Sequence, residues 1–215
     1  MRTVRQSRET QGLSPANGIS VLVPPMNSAK TTSSEKMSDA ALGLSGVSQT
    51  VSGVQNKGKV FHMLDQEKRQ TIIQELAVAY WMEMETVMNY ISNSINLDGV
   101  RAEEIKAALQ TDIQAELLHA QTLAKRIKTL GGVVPGSASF ESHQVTLQPP
   151  KKMTDVVSVI KGVIDAEEGA IAQYNKLIKL CDGFDYVTQD LCIKALGDEE
   201  EHRREFMGYL AEYEG

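Results

Sequence analysis

Glu116-Leu117-Leu118-His119 and, 83 positions later, Glu199-Glu200-Glu201-His202 share one form, Glu-x-x-His. Each lies in a proline-free stretch whose apolar residues recur every three or four positions, the period of an α-helix. Residues three apart on a helix share a face, one turn apart, so the Glu and His of each pair can hold one common object. Two such pairs, each joined by a further Glu on a preceding helix, are what a carboxylate-bridged two-metal site in a four-helix bundle requires.

Around these pairs the apolar spacing predicts four helices. Residues 65–96 carry Ile72, Leu76, Tyr80, Glu83, Val87 and Tyr90 on one face and end at the Asp98-Gly99 turn. Residues 102–130 carry Ile105, Leu109, Asp112, Glu116, His119, Leu123 and Ile127, and Gly131-Gly132 stops them. Residues 133–150 hold Pro135, Pro149 and Pro150, show no helical period and form a long crossover. Residues 154–180 place Val156, Ile160, Val163, Glu167, Ala170, Tyr174 and Leu177 inward and end at Asp182-Gly183. Residues 186–213 place Leu191, Ala195, Glu199, His202, Phe206 and Tyr209 inward. The expected fold is all-α: a four-helix bundle of two helical hairpins joined by the crossover.

The two hairpins are pseudo-repeats. Glu83, Tyr90, Asp98 and Gly99 recur 84 positions later as Glu167, Tyr174, Asp182 and Gly183. Glu116 and His119 recur 83 positions later as Glu199 and His202, a one-residue slip that a turn absorbs. Each half therefore supplies one Glu, one Glu-x-x-His and one Tyr to an approximately two-fold site. The repeat also selects Glu167 over its neighbour Glu168, which points roughly 100° away on the helix. By the same comparison Glu83 is chosen over Glu85.

Residues 1–60 have another texture. They contain no Phe, Tyr or Trp, are rich in Ser, Thr, Gly, Asn and Gln, and carry seven Lys/Arg against three acids, a net of 7 − 3 = +4. Such a segment buries too little apolar surface to offset its ordering entropy. We read 1–60 as a disordered or loosely attached tail and 61–215 as the bundle. The total charge is −6, so the remainder carries −6 − 4 = −10. An acidic body argues against broad nucleic-acid binding and suits an interior that attracts cations. No apolar run approaches the ~18 residues of a transmembrane helix. Cys181 and Cys192 lack CxxC spacing, which argues against a zinc site or a disulfide framework and for a reduced, cytoplasmic setting.

Four Glu and two His fall on inward positions. Buried carboxylates without cations cost several kcal/mol each, about the penalty of any unpaired buried ion. No Lys or Arg lies on those faces near the site; Arg126 is two turns beyond His119. Two divalent cations would supply the missing charge. The mixed carboxylate–imidazole set suits iron or manganese, with zinc a competitor.

Residues 61–215 resemble the ferritin-like superfamily and, within it, the bacterioferritins. The resemblance rests on Glu116-Leu-Leu-His-Ala-Gln-Thr-Leu-Ala-Lys-Arg-Ile-Lys-Thr-Leu-Gly-Gly, on Asp185-Tyr-Val-Thr-Gln-Asp, and on Asp198-Glu-Glu-Glu-His202. It implies two iron ions per subunit, bridged by Glu116 and Glu199. Glu83 and Glu167 would each cap one iron, and His119 and His202 would each donate a ring nitrogen. It places Tyr90 and Tyr174 beside the metal pair as catalytic partners; simple core packing is their other reading. Asp112 and Asp198 are candidates for orienting the histidines. The implied activity is ferroxidase: Fe(II) is oxidised to Fe(III) with O2 or H2O2.

This sequence departs from the bacterioferritin pattern at three places. Leu117 occupies the position of the haem-binding Met, so haem is not expected there, and Met82, Met84 and Met88 read as packing residues. Thirteen residues follow His202, so the short fifth helix of the large ferritin cages is not expected, nor that cage with it. Ala170 stands where rubrerythrins carry an additional Glu, so a rubrerythrin-type peroxidase with its Cys-rich iron domain is not expected.

Three functions follow as expectations. One is an iron-oxidising protein that stores or detoxifies iron. Another is a di-iron or di-manganese oxidase or peroxidase without mineral storage. The last is an interaction module delivered by the tail. The expected partners are Fe(II), O2 or H2O2, and further copies of the chain, at least one. Neither nucleic acid nor membrane is expected, and the tail is a candidate for docking inside a larger protein compartment.

Overall fold

Four long helices run through the chain in a computed structural model that describes residues 48–214. They are α1 (Ser48–Asn96), α2 (Glu103–Thr129), α3 (Val156–Cys181) and α4 (Tyr186–Glu214). Residues 1–47, most of the expected tail, lie outside the described residues, and so does the docking role read into them. α2, α3 and α4 begin and end within two residues of the expected positions. α1 starts earlier, at Ser48 rather than 65. The intervening stretch has no proline, and Gly53 and Gly58 lower helix propensity without breaking a helix.

α1 packs mainly on α2, and α3 mainly on α4, so each hairpin is a unit; α1 then lies along α3, while α2 and α4 touch at fewer places. The hairpin turns use Gly99 (φ 96°) and Gly183 (φ 65°), backbone conformations that favour glycine, at the equivalent places that the repeat assigns. Asp155 caps α3 by accepting a bond from the Ser158 N–H at 3.2 Å. Asp185 does the same for α4 through the Thr188 N–H at 3.1 Å. Arg126 ties α2 to this cap, donating to Asp185 Oδ1 at 2.6 Å and to Thr188 Oγ1 at 2.7 Å. Its charge is thereby spent at the bundle end.

Two apolar cores fill the bundle. One gathers Ile72, Leu76, Leu123, Ile127, Leu177 and Cys192. The other gathers Leu97, Ile105, Leu109, Ile160, Val163 and Phe206. Buried polar residues, Glu83, Glu116, Glu167 and Glu199 among them, lie between the two.

The crossover is a built strap. A single 3-10 turn, Ser137–Ser139, is its only helical piece. It bonds to a polar face of α1. Glu85, buried, accepts from Ser142 Oγ at 2.7 Å and from the N–H groups of His143 and Gln144 at 2.9 Å each. Gln144 donates to Thr86 Oγ1 at 2.6 Å, and Asn93 donates to the Leu147 carbonyl at 2.8 Å. On the other side the strap presses on α3 at Gly162. A Cβ there would stand 2.5 Å from the Thr146 carbonyl oxygen and 2.8 Å from Leu147 Cα. Both are backbone atoms and cannot swing aside. Gly162→Val should therefore cost about 1–3 kcal/mol, the usual range for overpacking. Gly197→Ala, which meets nothing within 4 Å, should gain up to about 1 kcal/mol from helix propensity. Denaturant midpoints of the two variants, moving in opposite directions, check both.

α1 has one more face. Ala77, Trp81, Met84, Met88, Ile91 and Ile95 follow a 4-3-4-3-4 spacing, the repeat of a coiled-coil seam. Much of it is uncovered: Met88 is 46%, Ile91 43% and Ile95 71% exposed.

Candidate metal centre

Between the two apolar cores each helix presents an acid. Glu83 comes from α1, Glu116 from α2, Glu167 from α3 and Glu199 from α4, and all four are buried, at 2%, 1%, 2% and 0% exposure. His119 and His202 complete the ring, one turn along α2 and α4.

The six side chains form two overlapping groups. Glu83, Glu116, His119 and Glu199 each offer a ligand atom within 4.8 Å of the others, and so do Glu116, Glu167, Glu199 and His202. Glu116 and Glu199 belong to both. The sequence-predicted ligands are thus brought together, with the shared pair in the middle. His119 Nδ1 lies 2.9 Å from Glu199 and 3.7 Å from Glu116; His202 Nδ1 lies 3.1 Å from Glu116 and 3.4 Å from Glu199. Yet one oxygen of Glu116, both oxygens of Glu199 and both Nδ1 atoms make no aligned hydrogen bond. Buried polar atoms are almost always partnered. Here they converge without satisfying one another, which fits a donor set facing common ions.

The tyrosines are supports, not mere filling. Tyr90 donates its hydroxyl to Glu167, and Tyr174 donates to Glu83. Each hairpin thus holds the outer carboxylate of the other. Both rings are fully buried. Asp198 lies 3.0 Å from His119 Nε2. Asp112, the other expected orienting acid, has an unpartnered carboxylate oxygen and makes no bond to His202.

Charge explains the proton positions. Burial and then the charges of Glu199 and Glu116 raise Glu83 well above the carboxylate range. Burial and the same two charges do this to Glu167. Burial works against the charge on Glu116 as well, but the close approach of His119 and His202 holds it at about 2. Burial would lower both histidines; their carboxylate neighbours instead lift His119 to about 10 and His202 to about 11. Asp112 is pushed up to about 6 by burial, with His202 opposing. Fully ionised, the four carboxylates would exceed the two imidazolium ions by 4 − 2 = 2 charges, so without cations Glu83 and Glu167 hold on to their protons. No Lys or Arg pairs with the four acids among the described residues; the ion pairs of Glu116 and Glu199 are to histidine alone.

A cleft of about 430 Å³ reaches the ring from the α2–α4 side. Leu118, Leu123, Val187 and Leu191 line it, with Tyr174 and His119 among its walls. On the α1–α3 side the strap bonds to Glu85 and Asn93 and packs on Gly162. No described helix is long and apolar enough to cross a membrane.

Sequence reasoning missed the role of Glu85. It is a buried acid, about 200° around α1 from Glu83. Its position on another helix face was the available signal, but its partners lie 57–59 residues away in the crossover.

Bundle and site together define a four-helix protein with a paired carboxylate–imidazole centre, the class of the di-iron carboxylate bundles. The chain belongs to the ferritin-like domain family, whose sequence profile matches residues 73–215. It is 27% identical to the bacterioferritin of Desulfovibrio desulfuricans over 138 residues, covering 64% of this chain and 73% of that protein. It is 36% identical to the bacterial ferritin of Neisseria meningitidis over 94 residues, or 43% of this chain and 55% of that protein. Among solved structures, the dodecameric thioferritin of Bacteroides fragilis superposes with a TM-score of 0.60 at 24% identity, covering 72% of this chain and 94% of that one. The Desulfovibrio desulfuricans bacterioferritin, described with its diiron site in different catalytic states, gives 0.60 at 23% identity, covering 68% and 82%. These superpositions establish the shared fold.

Proposed function

We propose that the chain is a di-iron ferroxidase that oxidises Fe(II) to Fe(III) for iron storage or detoxification. The observation carrying this reading is the convergence of unpartnered buried donor atoms from Glu116, Glu199, His119 and His202. In it, Glu116 and Glu199 would hold both ions, with Glu83 and His119 completing one position and Glu167 and His202 the other. Iron supplies the redox chemistry when bound. Two Fe(II) give up one electron each, and O2 with two protons leaves as H2O2. The protein holds the ions close together, and Tyr90 and Tyr174 keep the outer carboxylates aimed inward. Manganese or zinc would compete for the same donors.

A second reading, an oxidase or peroxidase without mineral storage, is favoured by the largely apolar α2–α4 cleft. Its apolar wall would take a small organic molecule, although Asp190, Lys194 and Asp198 also line it. Aerobic Fe(II) addition followed by mass and iron analysis separates the two. Storage requires a hollow assembly that retains many irons per chain; retention of about two per chain, in a small oligomer, would leave only the oxidase.

The apolar seam of α1 supports homo-oligomerisation, and one structural relative is described as dodecameric. Met88→Lys with Ile91→Glu should lower the native mass while leaving helix content unchanged. An unaltered mass in light scattering would take the seam out of the assembly. The cytoplasmic setting, and a tail that docks the protein inside a compartment, belong to the same proposal.

A further inference from the structure

The six donors obey the pseudo-two-fold repeat, but the support of the two histidines does not. His119 turns Nδ1 toward the shared carboxylates while Asp198 Oδ2 sits 3.0 Å from its Nε2. His202 turns Nδ1 the same way, and no carboxylate meets its other nitrogen among the described residues. The cause is in the sequence. Asp198 stands four residues before His202 and reaches across to His119. The equivalent place, four residues before His119, is Ala115. Asp112 does not substitute, since it makes no bond to His202. The tyrosine supports, by contrast, are symmetric. The break is confined to one carboxylate.

A carboxylate on the far ring nitrogen of a metal-binding histidine fixes the tautomer and ring orientation and raises ligand basicity; losing it commonly costs 10–100-fold in metal affinity. We propose that the two metal positions are inequivalent: the His119 position binds its ion more tightly than the His202 position, with Asp198 as the positioning residue. This rests on the metal-centre reading above. The Asp198 side chain is 62% exposed, so solvent screening places the effect near the low end, about tenfold.

Two equal positions would also fill in separate steps, because bound cations repel each other. Occupancy at each position is therefore the readout. Crystals of the full chain equilibrated anaerobically with one equivalent of Co(II) should show the anomalous signal concentrated at the His119 position. In Asp198→Ala the signal should divide nearly evenly, and the first step of a Co(II) absorption titration should weaken about tenfold. Ala115→Asp, which restores the missing carboxylate, should also even the occupancies, here by tightening the His202 position. Equal occupancy in the unaltered chain, or an unchanged bias in Asp198→Ala, would overturn the proposal. Absence of any Co(II) at the ring would instead remove the metal-centre reading, and this inference with it.

Discussion

A chain carrying Glu116→Ala together with Glu199→Ala is expected to lose rapid Fe(II) oxidation altogether. Both residues belong to both ligand groups. The double change leaves each position one carboxylate and one imidazole, Glu83 with His119 and Glu167 with His202. Removing an outer support of a metal ligand already costs 10–100-fold, and losing two ligands from each ion exceeds roughly 100-fold. The bundle itself should persist, because the two apolar cores do not include these residues. Stopped-flow absorbance gives the rate and circular dichroism the fold. Oxidation at the rate of the unaltered chain would refute the ligand assignment.

The second large effect is on stability and its pH dependence. In the metal-free chain His119 and His202 titrate near 10 and 11, above their unfolded value of about 6.5. Their contribution is full below that unfolded value and is lost as pH rises through 10 and 11. Glu83 and Glu167, also raised, act in the same direction from above about 4.5. Glu116 acts oppositely, but its window closes between about 4.5 and about 2. The metal-free melting temperature should therefore fall as pH rises from 7 to 10.

Divalent ions need neutral imidazoles and ionised carboxylates, so protons compete with them. With metal at a fixed free concentration, stabilisation should grow with pH over that same range. Ions at about 1,000 times their Kd stabilise by roughly 4 kcal/mol each, and each kcal/mol is worth about 2–4 °C in a chain of this size. Anaerobic melting curves with and without Co(II) should diverge as pH rises. Calorimetry in two buffers at pH 7 should register at least the two imidazolium protons leaving. Parallel curves, or uptake without proton release, would contradict the proton positions described above.

Much of this was legible in the sequence because it depends on local period. Apolar spacing and the Asp98-Gly99 and Asp182-Gly183 turns located α2, α3 and α4 closely, and the 84/83-residue repeat chose Glu83 and Glu167 over acidic neighbours. What stayed hidden depends on contacts between distant segments. Tyr90 and Glu167 are 77 positions apart, so the exchange of supports between hairpins has no local signature. The strap hangs on Glu85 and Gly162, two residues that periodicity cannot connect. The early start of α1 at Ser48 runs through residues whose composition favours a tail. Asp112 and Asp198 looked alike as inward or adjacent acids; only the packing of α2 against α4 decides that Asp198 alone meets a histidine.

Anomalous diffraction at the iron edge, on crystals soaked anaerobically in excess Fe(II), tests the central claim most directly. Two peaks per chain are expected. One should lie among Glu83, Glu116, His119 and Glu199, the other among Glu116, Glu167, Glu199 and His202, with Glu116 and Glu199 shared. A ring free of iron, or iron bound only outside it, would contradict the account.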